Sequence, residues 1–274
     1  MGRRVEKTVD LGMDRLYQVE ISPRHGLVIG KVHGIGARGN QEDAFGISDT
    51  KDETVLEKGV LLILSDGMGG LCDGEKASAA TVIACLNYFD NHEMEHAPWE
   101  HFHDMAQEAN EQVKEALGKT AGAGGATLIA AWIKDQKVYW ASVGDSHLYL
   151  FREEELHQLN QEHTYGATLD RMAQNGEITQ AEAAKNPSRR ALTSFIGADK
   201  PNELDWNEKE LTLQKGDRFL LMSDGVFGTL TKQEITDAMQ YPADKSAKHL
   251  EMQIESKKKR NQDNYTAIIV EVIG

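Results

Sequence analysis

Val60–Gly70 reads VLLILSDGMGG, an unbroken apolar run that passes straight into Ser65-Asp66-Gly67. The same phrase returns far down the chain as Phe219–Gly228, FLLMSDGVFG. An apolar run this short, closed by a glycine, predicts a fully buried strand that stops at its Asp-Gly. Asp-Gly is also the commonest signal for a tight hairpin turn. Here neither run is answered by a second alternating strand, because Met68–Gly74 is too rich in glycine. A carboxylate at the mouth of a buried strand stands on rigid scaffold and still faces an opening. The expectation is that Asp66 and Asp224 meet in space and hold metal.

Composition bounds the rest. The chain has 274 residues, 40% hydrophobic and 27% charged, which is ordinary globular make-up with ample core. Its formal net charge of −14 argues against nucleic acid, whose phosphates most of the surface would repel. Much of that charge is solvating surface, but clustered carboxylates at a site would add to it. Cys72 and Cys85 form no CxxC, so neither a disulfide framework nor a zinc–thiolate site is offered. Cys85 falls in a helical apolar pattern and is expected in the core. No apolar run is long enough to span a membrane, and MGRRVEKTVD has no signal-peptide core. The Met-Gly start lacks the Ser or Thr of a myristoylation signal, with Glu6 in that place. A soluble, cytoplasmic, monomeric protein is expected, with neither nucleic acid nor membrane as partner.

Along the chain, short apolar runs between Leu16 and Ile35 (Tyr17–Ile21, then Leu27–Ile29 and Val32) predict strands joined by turns at Pro23, Gly26 and Gly30. A loop, Gly34–Asp43, carries Arg38, Glu42 and Asp43, and Ala44–Ile47 resumes a strand. Gly74–Asn91 is apolar on more than one face, as a helix laid on a sheet would be. Pro98–Leu117 predicts a second helix, with apolar residues every three or four positions and proline in its first turn. The histidines His92, His96, His101 and His103 lie around this connection. The 92/96 spacing suits a metal on a helix, but no Glu stands as in HExxH, so a solvated link is expected. Thr120–Thr127, TAGAGGAT, lacks the Lys-Ser/Thr of a phosphate loop and reads as a turn. Ala126–Lys134, Val138–Val143, His147–Arg152 and Leu156–Leu159 follow as strands with tight connections, predicting an antiparallel meander. Asn160–Lys200 is polar and helical in short pieces, with a capping box at Thr179–Glu182 and an extended stretch at Ala191–Ile196. Leu204–Leu213 and Arg218–Met222 predict strands. Thr231–Glu234 is a second capping box, a helix follows over Asp244–Lys259, and Tyr265–Val272 closes as a strand. With no linker and no repeat beyond the two SDG strand ends, residues 1–274 read as one domain.

The acidic residues at strand ends in glycine or asparagine company are Glu42 and Asp43 in RGNQED, Asp66, Asp145 in VGDS, Asp224, and Asp263 in NQDN. Any one alone is more often a turn former than a ligand. As a series of one design, apolar strand then Asp then a small residue, they are poorly explained by turn chemistry. Carboxylates gathered together repel one another unless cations lie between them. All-oxygen ligation selects hard cations, Mg²⁺ or Mn²⁺, over zinc or copper. Two such ions about 3.5–4 Å apart lower the pKa of a shared water and supply hydroxide near neutral pH. Arg38 has the planar fork for two phosphate oxygens, although its spacing equally suits an ion pair with a nearby carboxylate. The set suits hydrolysis of a phosphate ester, and the acidic net charge disfavours a nuclease.

These residues together resemble the PPM, or type-2C, metal-dependent serine/threonine protein phosphatases of the bacterial branch, from about Gly30 to Val272. The RxxNED motif appears as Arg38–Asp43 with Gln41 in place of Asn, and the DGMGG-x-x-x-GE-x-AS block as Asp66–Ser78. GGAT (Gly124–Thr127), VGDS (Val143–Ser146), GDRFLLMSDG (Gly216–Gly225) and the late pair Asp263-Asn264 follow in the family's order. The resemblance implies an α+β fold, a β-sandwich of two antiparallel sheets flanked by helix pairs in four layers (αββα), with residues 160–200 as a flap beside the site. It implies that Asp43 and Asp66 bridge two Mn²⁺ or Mg²⁺ ions, that the Gly67 carbonyl binds one, and that Asp224 and Asp263 complete the other. Glu42 would hold a metal-bound water, Arg38 would orient the phosphate, and Asp145 would help bind a third ion. The implied reaction is attack by metal-bridging hydroxide on phosphoserine or phosphothreonine in proteins, without a phosphoenzyme, in opposition to a signalling serine/threonine kinase.

Two residues depart from the pattern. Met68 stands where many eukaryotic members have a histidine acid, so metal-bound water is the expected proton donor to the leaving group. His147 replaces the arginine of GDSR. The reading from another class is a pseudophosphatase that binds phosphoproteins or a kinase without turnover. Such a protein should have lost ligands, and each principal ligand position here is filled.

Overall fold

The computed structural model describes residues 9–10, 20–22, 26–49, 52–69, 73–120, 124–199 and 203–274. In chain order these form β1 (Val9–Asp10), β2 (Glu20–Ser22), β3 (Leu27–Gly34), β4 (Asp43–Ile47), α1 (Glu53–Glu57), β5 (Val60–Met68), α2 (Asp73–Asn91) and α3 (Pro98–Leu117). There follow β6 (Gly125–Ala126), β7 (Leu128–Lys134), β8 (Lys137–Val143), β9 (His147–Arg152), β10 (Glu155–Gln158), α4 (Tyr165–Gln174) and α5 (Gln180–Lys185). The chain ends with β11 (Asp205–Trp206), β12 (Leu211–Thr212), β13 (Arg218–Met222), α6 (Asp224–Phe227), α7 (Lys232–Ala238), α8 (Ala243–Ser256) and β14 (Tyr265–Val272).

β5 shows why the layers stack as they do. Successive side chains of a strand point to opposite faces, and every residue from Val60 to Leu64 is apolar and fully buried. Leu61 and Ile63 pack with Val82, Cys85 and Phe89 of α2 and Met105 and Ala109 of α3. Val60, Leu62 and Leu64 pack instead with Leu27, Ile29, Leu221 and Ile268 of the other sheet. A third cluster joins Leu220, Met222 and Ile269 to Ile235 of α7 and Leu250 and Ile254 of α8. A strand apolar on both faces thus needs a helix layer on one side and a sheet on the other. Each fully buried Leu or Ile contributes about 1.5–3 kcal/mol.

The first sheet runs β1-β4-β5-β7-β8-β11, with β6 on β5 and β12 on β8; the second runs β10-β9-β13-β14-β3-β2. Their pairings are antiparallel. The expected α+β sandwich, with helices outside two antiparallel sheets, is what the chain builds. Register brings the acidic residues to one end of it. Asp43 opens β4 directly opposite Asp66 near the end of β5. Met222 at the end of β13 pairs with His147 at the start of β9 and with Ala267 near the start of β14. Asp145, Asp224 and Asp263 flank those ends.

Several local expectations are corrected. β5 does not stop at Asp66-Gly67 but runs on to Met68, because Gly67 and Met68 pair with Ala126 and Gly125 of β6. The second SDG behaves differently: β13 ends at Met222, and Asp224 opens the short helix α6. The predicted meander is split, since β7 and β8 pair in one sheet while β9 and β10 pair in the other. Gly144-Asp145-Ser146 is therefore a crossing between sheets rather than a hairpin turn. The strand expected over Leu204–Leu213 survives only as β11 and β12, both paired to β8. Ala191–Ile196 makes only the isolated bridges Thr164↔Leu192 and Ala126↔Ile196. The final helix ends at Ser256 rather than Lys259, and Lys258 takes a positive φ of 49°.

The histidine link is not simply solvated. His101 is buried, with its Nε2 accepting from the His96 backbone N–H at 3.2 Å and its Nδ1 3.1 Å from the Tyr88 hydroxyl. Burial there lowers its pKa, as expected of a neutral ring held in the core. Both predicted capping boxes are present, at Thr179 with Glu182 and at Thr231 with Glu234, and α3 spans Pro98–Leu117 as read. The strand expected around Tyr17–Val19, the residue Cys72 and residues 121–123 of the glycine-rich turn lie outside the described residues. Among the described residues no helix is long and apolar enough to cross a membrane.

Candidate functional site

The glycines of the two SDG phrases allow the close approaches that shape the site. A Cβ on Gly67 would lie 2.1 Å from the Gly74 carbonyl oxygen at the start of α2, and one on Gly225 would lie 1.8 Å from that of Asn264. Neither could be accommodated without moving backbone. The first contact seats α2 against the end of β5. The second seats α6, which carries Asp224, against the chain that carries Asp263.

Asp43 is buried and its Oδ2 accepts hydrogen bonds from the Ser223 and Thr266 hydroxyls, both at 2.7 Å. Burial pushes its pKa up to about 7, against the pull of those hydroxyls, with Asp224 and Asp263 pushing further. Asp66 is raised well above the carboxylate range by burial and then by Asp43, Asp224, Asp145 and Asp263. Burial also raises Asp224, joined by repulsion from Asp263, and pushes Asp145 up to about 6, joined by Asp224. Each carboxylate is thus made costly to ionise by burial and by the others, and a cation among them would remove that cost.

The backbone around Asp66 is fixed by the GGAT and VGDS phrases. The Asp66 N–H donates to Thr127 Oγ1 at 2.8 Å, the Thr127 N–H returns a bond to the Asp66 carbonyl at 2.8 Å, and Thr127 Oγ1 lies 2.8 Å from Ser146 Oγ. The loop of Arg38 and Glu42 hangs on Asn264, whose Oδ1 accepts from the Glu42 N–H at 2.9 Å. Its Nδ2 donates to the Ile35 and Asn40 carbonyls at 2.9 and 3.0 Å. The Gly67 N–H donates to the Glu42 carbonyl at 2.9 Å, tying that loop to β5. Burial raises the Glu42 carboxyl, and Arg38 opposes it.

Arg38 is exposed and its Nη2 lies 2.6 Å from Asp263 Oδ2, the ion pair that its spacing also allowed. Arg38, Asp145, Asp224 and Asp263 line a cleft of about 1390 Å³. Its far wall is the 160–193 segment, with Glu162, His163, Asp170, Arg189 and Arg190. His147 is buried beneath this wall, stacked on Phe227 at 3.7 Å between ring centres, with Nε2 2.6 Å from Glu162 Oε1. That bond holds the Glu162 carboxyl below its usual range. The residue that departs from GDSR therefore joins the end of β9 to the base of the wall.

All the sequence-predicted site residues lie at this one end. The oxygen-only donor set suits Mg²⁺ or Mn²⁺. Among the described residues no three His, Cys, Asp or Glu side chains stand close enough, as placed, to hold an ion. Asp263 is turned to Arg38 and Asp43 to its two hydroxyls. Supporting residues to which the sequence reading gave no role are Thr127, Ser146, Ser223, Asn264 and Thr266. The first four sit inside the quoted motifs, next to or near the carboxylates, so their signal was the motif itself.

The model of the family described as protein phosphatase 2C matches residues 35–262, most of the chain and every carboxylate of this site except Asp263, which lies one residue past the match. The chain belongs to the protein phosphatase 2C family. Serine/threonine protein phosphatase PstP of Mycobacterium tuberculosis is 29% identical over 231 residues, which cover 81% of this chain and 42% of PstP. The chain thus spans about two-fifths of the length of that relative. Protein phosphatase PhpP of Streptococcus pneumoniae is 30% identical over 182 residues, 65% of this chain and 71% of PhpP. Among solved structures, the serine/threonine phosphatase of S. agalactiae superposes with a TM-score of 0.77 at 25% identity, covering 90% of this chain and 99% of that one. A PstP catalytic domain in complex with two manganese ions superposes at 0.71 with 26% identity, covering 90% and 99% of the two chains. This family member shares with them the two antiparallel sheets and flanking helices.

Proposed function

We propose that this chain hydrolyses phosphoserine and phosphothreonine in proteins, using two Mn²⁺ or Mg²⁺ ions, with Asp145 available to a third. The observation that carries the reading is the antiparallel register that sets Asp43 opposite Asp66 at the sandwich end where Asp224 and Asp263 also arrive. Asp43, Asp66, Asp224 and Asp263, with the Gly67 carbonyl, would hold the ions. When bound, the metals would lower the pKa of a coordinated water and offset charge on the phosphoryl oxygens.

The remaining work falls to the chain. Arg38 exchanges Asp263 for the substrate phosphate, which its planar fork grips by two oxygens, and so orients the phosphorus for in-line attack. Glu42 accepts a hydrogen bond from the attacking water. Ser223 and Thr266 keep Asp43 fixed, and Asn264 fixes the loop that carries Arg38 and Glu42. Met68 offers no proton, so the leaving serine or threonine oxygen takes one from water. Residues 160–200 act as the flap that forms the far wall of the cleft. A serine/threonine kinase acting on the same proteins would work in opposition.

The reading rests on the site together with the names borne by the relatives. Its test is phosphate release from a phosphothreonine peptide by the purified chain, with and without Mn²⁺. Metal-dependent release supports it. Folded protein that binds the peptide with no turnover in Mn²⁺ or Mg²⁺ would establish the pseudophosphatase reading instead.

A further inference from the structure

The far wall of the cleft carries two consecutive arginines with opposite fates. Arg189 is fully engaged: Nη1 and Nη2 donate to Asp170 Oδ1 and Oδ2 at 2.9 and 2.7 Å, and Nη1 also donates to the Ala183 carbonyl at 2.9 Å. Arg190 is exposed, lines the same cleft, and its guanidinium has no hydrogen-bond or ion-pair partner among the described residues. The backbone beneath it is held from both sides. Gly166 N–H donates to the Arg189 carbonyl at 2.8 Å, Tyr165 N–H to the Ala191 carbonyl at 2.8 Å, and Ala191 N–H to the Ser188 carbonyl at 2.9 Å. Thr193 N–H donates to the His163 carbonyl at 2.8 Å, and Thr164 bridges Leu192. An unpartnered cation on held backbone, in a cleft that also carries Asp145, Asp224 and Asp263, is poised for an anion from outside.

We infer that Arg190 is a specificity-determining residue that binds an anionic group on the substrate next to the phosphorylated residue, either an Asp or Glu carboxylate or a second phosphate. This rests on the phosphatase reading above. Its guanidinium lines the same cleft as Asp145, Asp224 and Arg38. A residue flanking a phosphate bound at the carboxylate end would share that cleft with it. Arg189 braces the wall and leaves Arg190 to read the ligand. A guanidinium matches either anion by paired N–H bonds, which an ammonium cannot reproduce.

The test compares phosphothreonine peptides with neutral, acidic or second-phosphate neighbours, on the wild-type chain and on Arg190→Glu and Arg190→Lys. For wild type, kcat/KM is expected to favour the anionic neighbours by about tenfold, through KM, as for a charge-assisted contact of roughly 1.4 kcal/mol. Arg190→Glu should abolish or invert that ratio, and Arg190→Lys should keep part of it. The two anionic peptides distinguish carboxylate from phosphate as the group read. Fluorescence anisotropy with non-hydrolysable phosphonate peptides gives the same ratio as Kd and needs no turnover. Loss of turnover with the Kd ratio intact would overturn the phosphatase reading alone. A wild-type ratio near one, or a ratio unchanged in Arg190→Glu, would overturn the role of Arg190.

Discussion

Asp224 is costly to the protein that carries it. Burial and Asp263 both disfavour its ionised form, so under the proposed function its place at the head of α6 would serve a cation rather than the core. Asp224→Asn is expected to lower kcat/KM by about a thousandfold, as loss of several kcal/mol of metal-borne stabilisation would. The metal-free variant should melt no lower than wild type, because a repelling charge has been removed. A calorimetric scan checks the second part, and a lower melting point would place the residue in the fold instead. Gly225 offers the opposite case. Its Cβ would lie 1.8 Å from the Asn264 carbonyl oxygen, so Gly225→Ala should destabilise by several kcal/mol, read as a fall in the denaturation midpoint.

At this scale the carboxylates were legible in sequence because each ends an apolar run beside glycine or asparagine. Ser223 and Thr266 were not read as partners of Asp43, because they lie 180 and 223 residues from it and only the sheet register brings them there. Arg38 was legible as a phosphate-binding fork and as an ion pair, and the structure displays the second.

Among elements, the loop of Arg38 and Glu42 depends on one side chain across the sheet. Asn264 binds Glu42, Ile35 and Asn40, and Asn264→Ala should cost about 3 kcal/mol, with KM rising as Arg38 loses its position. Urea denaturation together with steady-state kinetics reads both effects. The wall of the cleft is joined to the crossing between sheets through His163, whose Nδ1 accepts from the Gly144 N–H at 3.1 Å. Burial lowers the His163 pKa from 6.5, so the folded state favours the neutral ring. The unfolded chain then takes up its proton first as pH falls through about 6.5, and stability drops from there downward. His163→Gln, which cannot take up a proton, should flatten that part of the stability–pH curve. An unchanged slope would assign the dependence to other groups.

The helix α2 was readable because it is apolar on more than one face, and α3 because its apolar period agrees with a proline in its first turn. The split of the meander was not, because Gly144-Asp145-Ser146 has the composition of a hairpin turn whether the next strand returns or crosses over. Only the demand for two sheets, each with its own helix layer, decides between them. The edge strands β11 and β12 were misjudged for a related reason: their pairing to β8 is tertiary, and a polar stretch separates them.

Across the whole molecule, the sandwich acts as a frame that brings the ends of β4, β5, β9, β13 and β14 to one face and keeps mutually repelling carboxylates there. The net negative charge favours divalent cations near the surface, while Arg38 and Arg190 set local positive charge in the cleft where, under the proposed function, a phosphoprotein would dock. Metal binding is therefore expected to stabilise the fold. At a hundredfold excess over Kd the gain is about 2.7 kcal/mol, or roughly 5–10 °C in Tm for a chain of this size. Thermal denaturation with and without Mn²⁺ reads it directly, and no shift would count against carboxylates held for a cation. The central claim is that the two SDG strand ends form a single metal centre, and anomalous scattering from crystals soaked in Mn²⁺ tests it most directly. Two manganese peaks about 3.5–4 Å apart are predicted, one beside Asp66 and the Gly67 carbonyl and one beside Asp224 and Asp263, with Arg38 released from Asp263. Peaks elsewhere, or none with Asp263 still paired to Arg38, would contradict it.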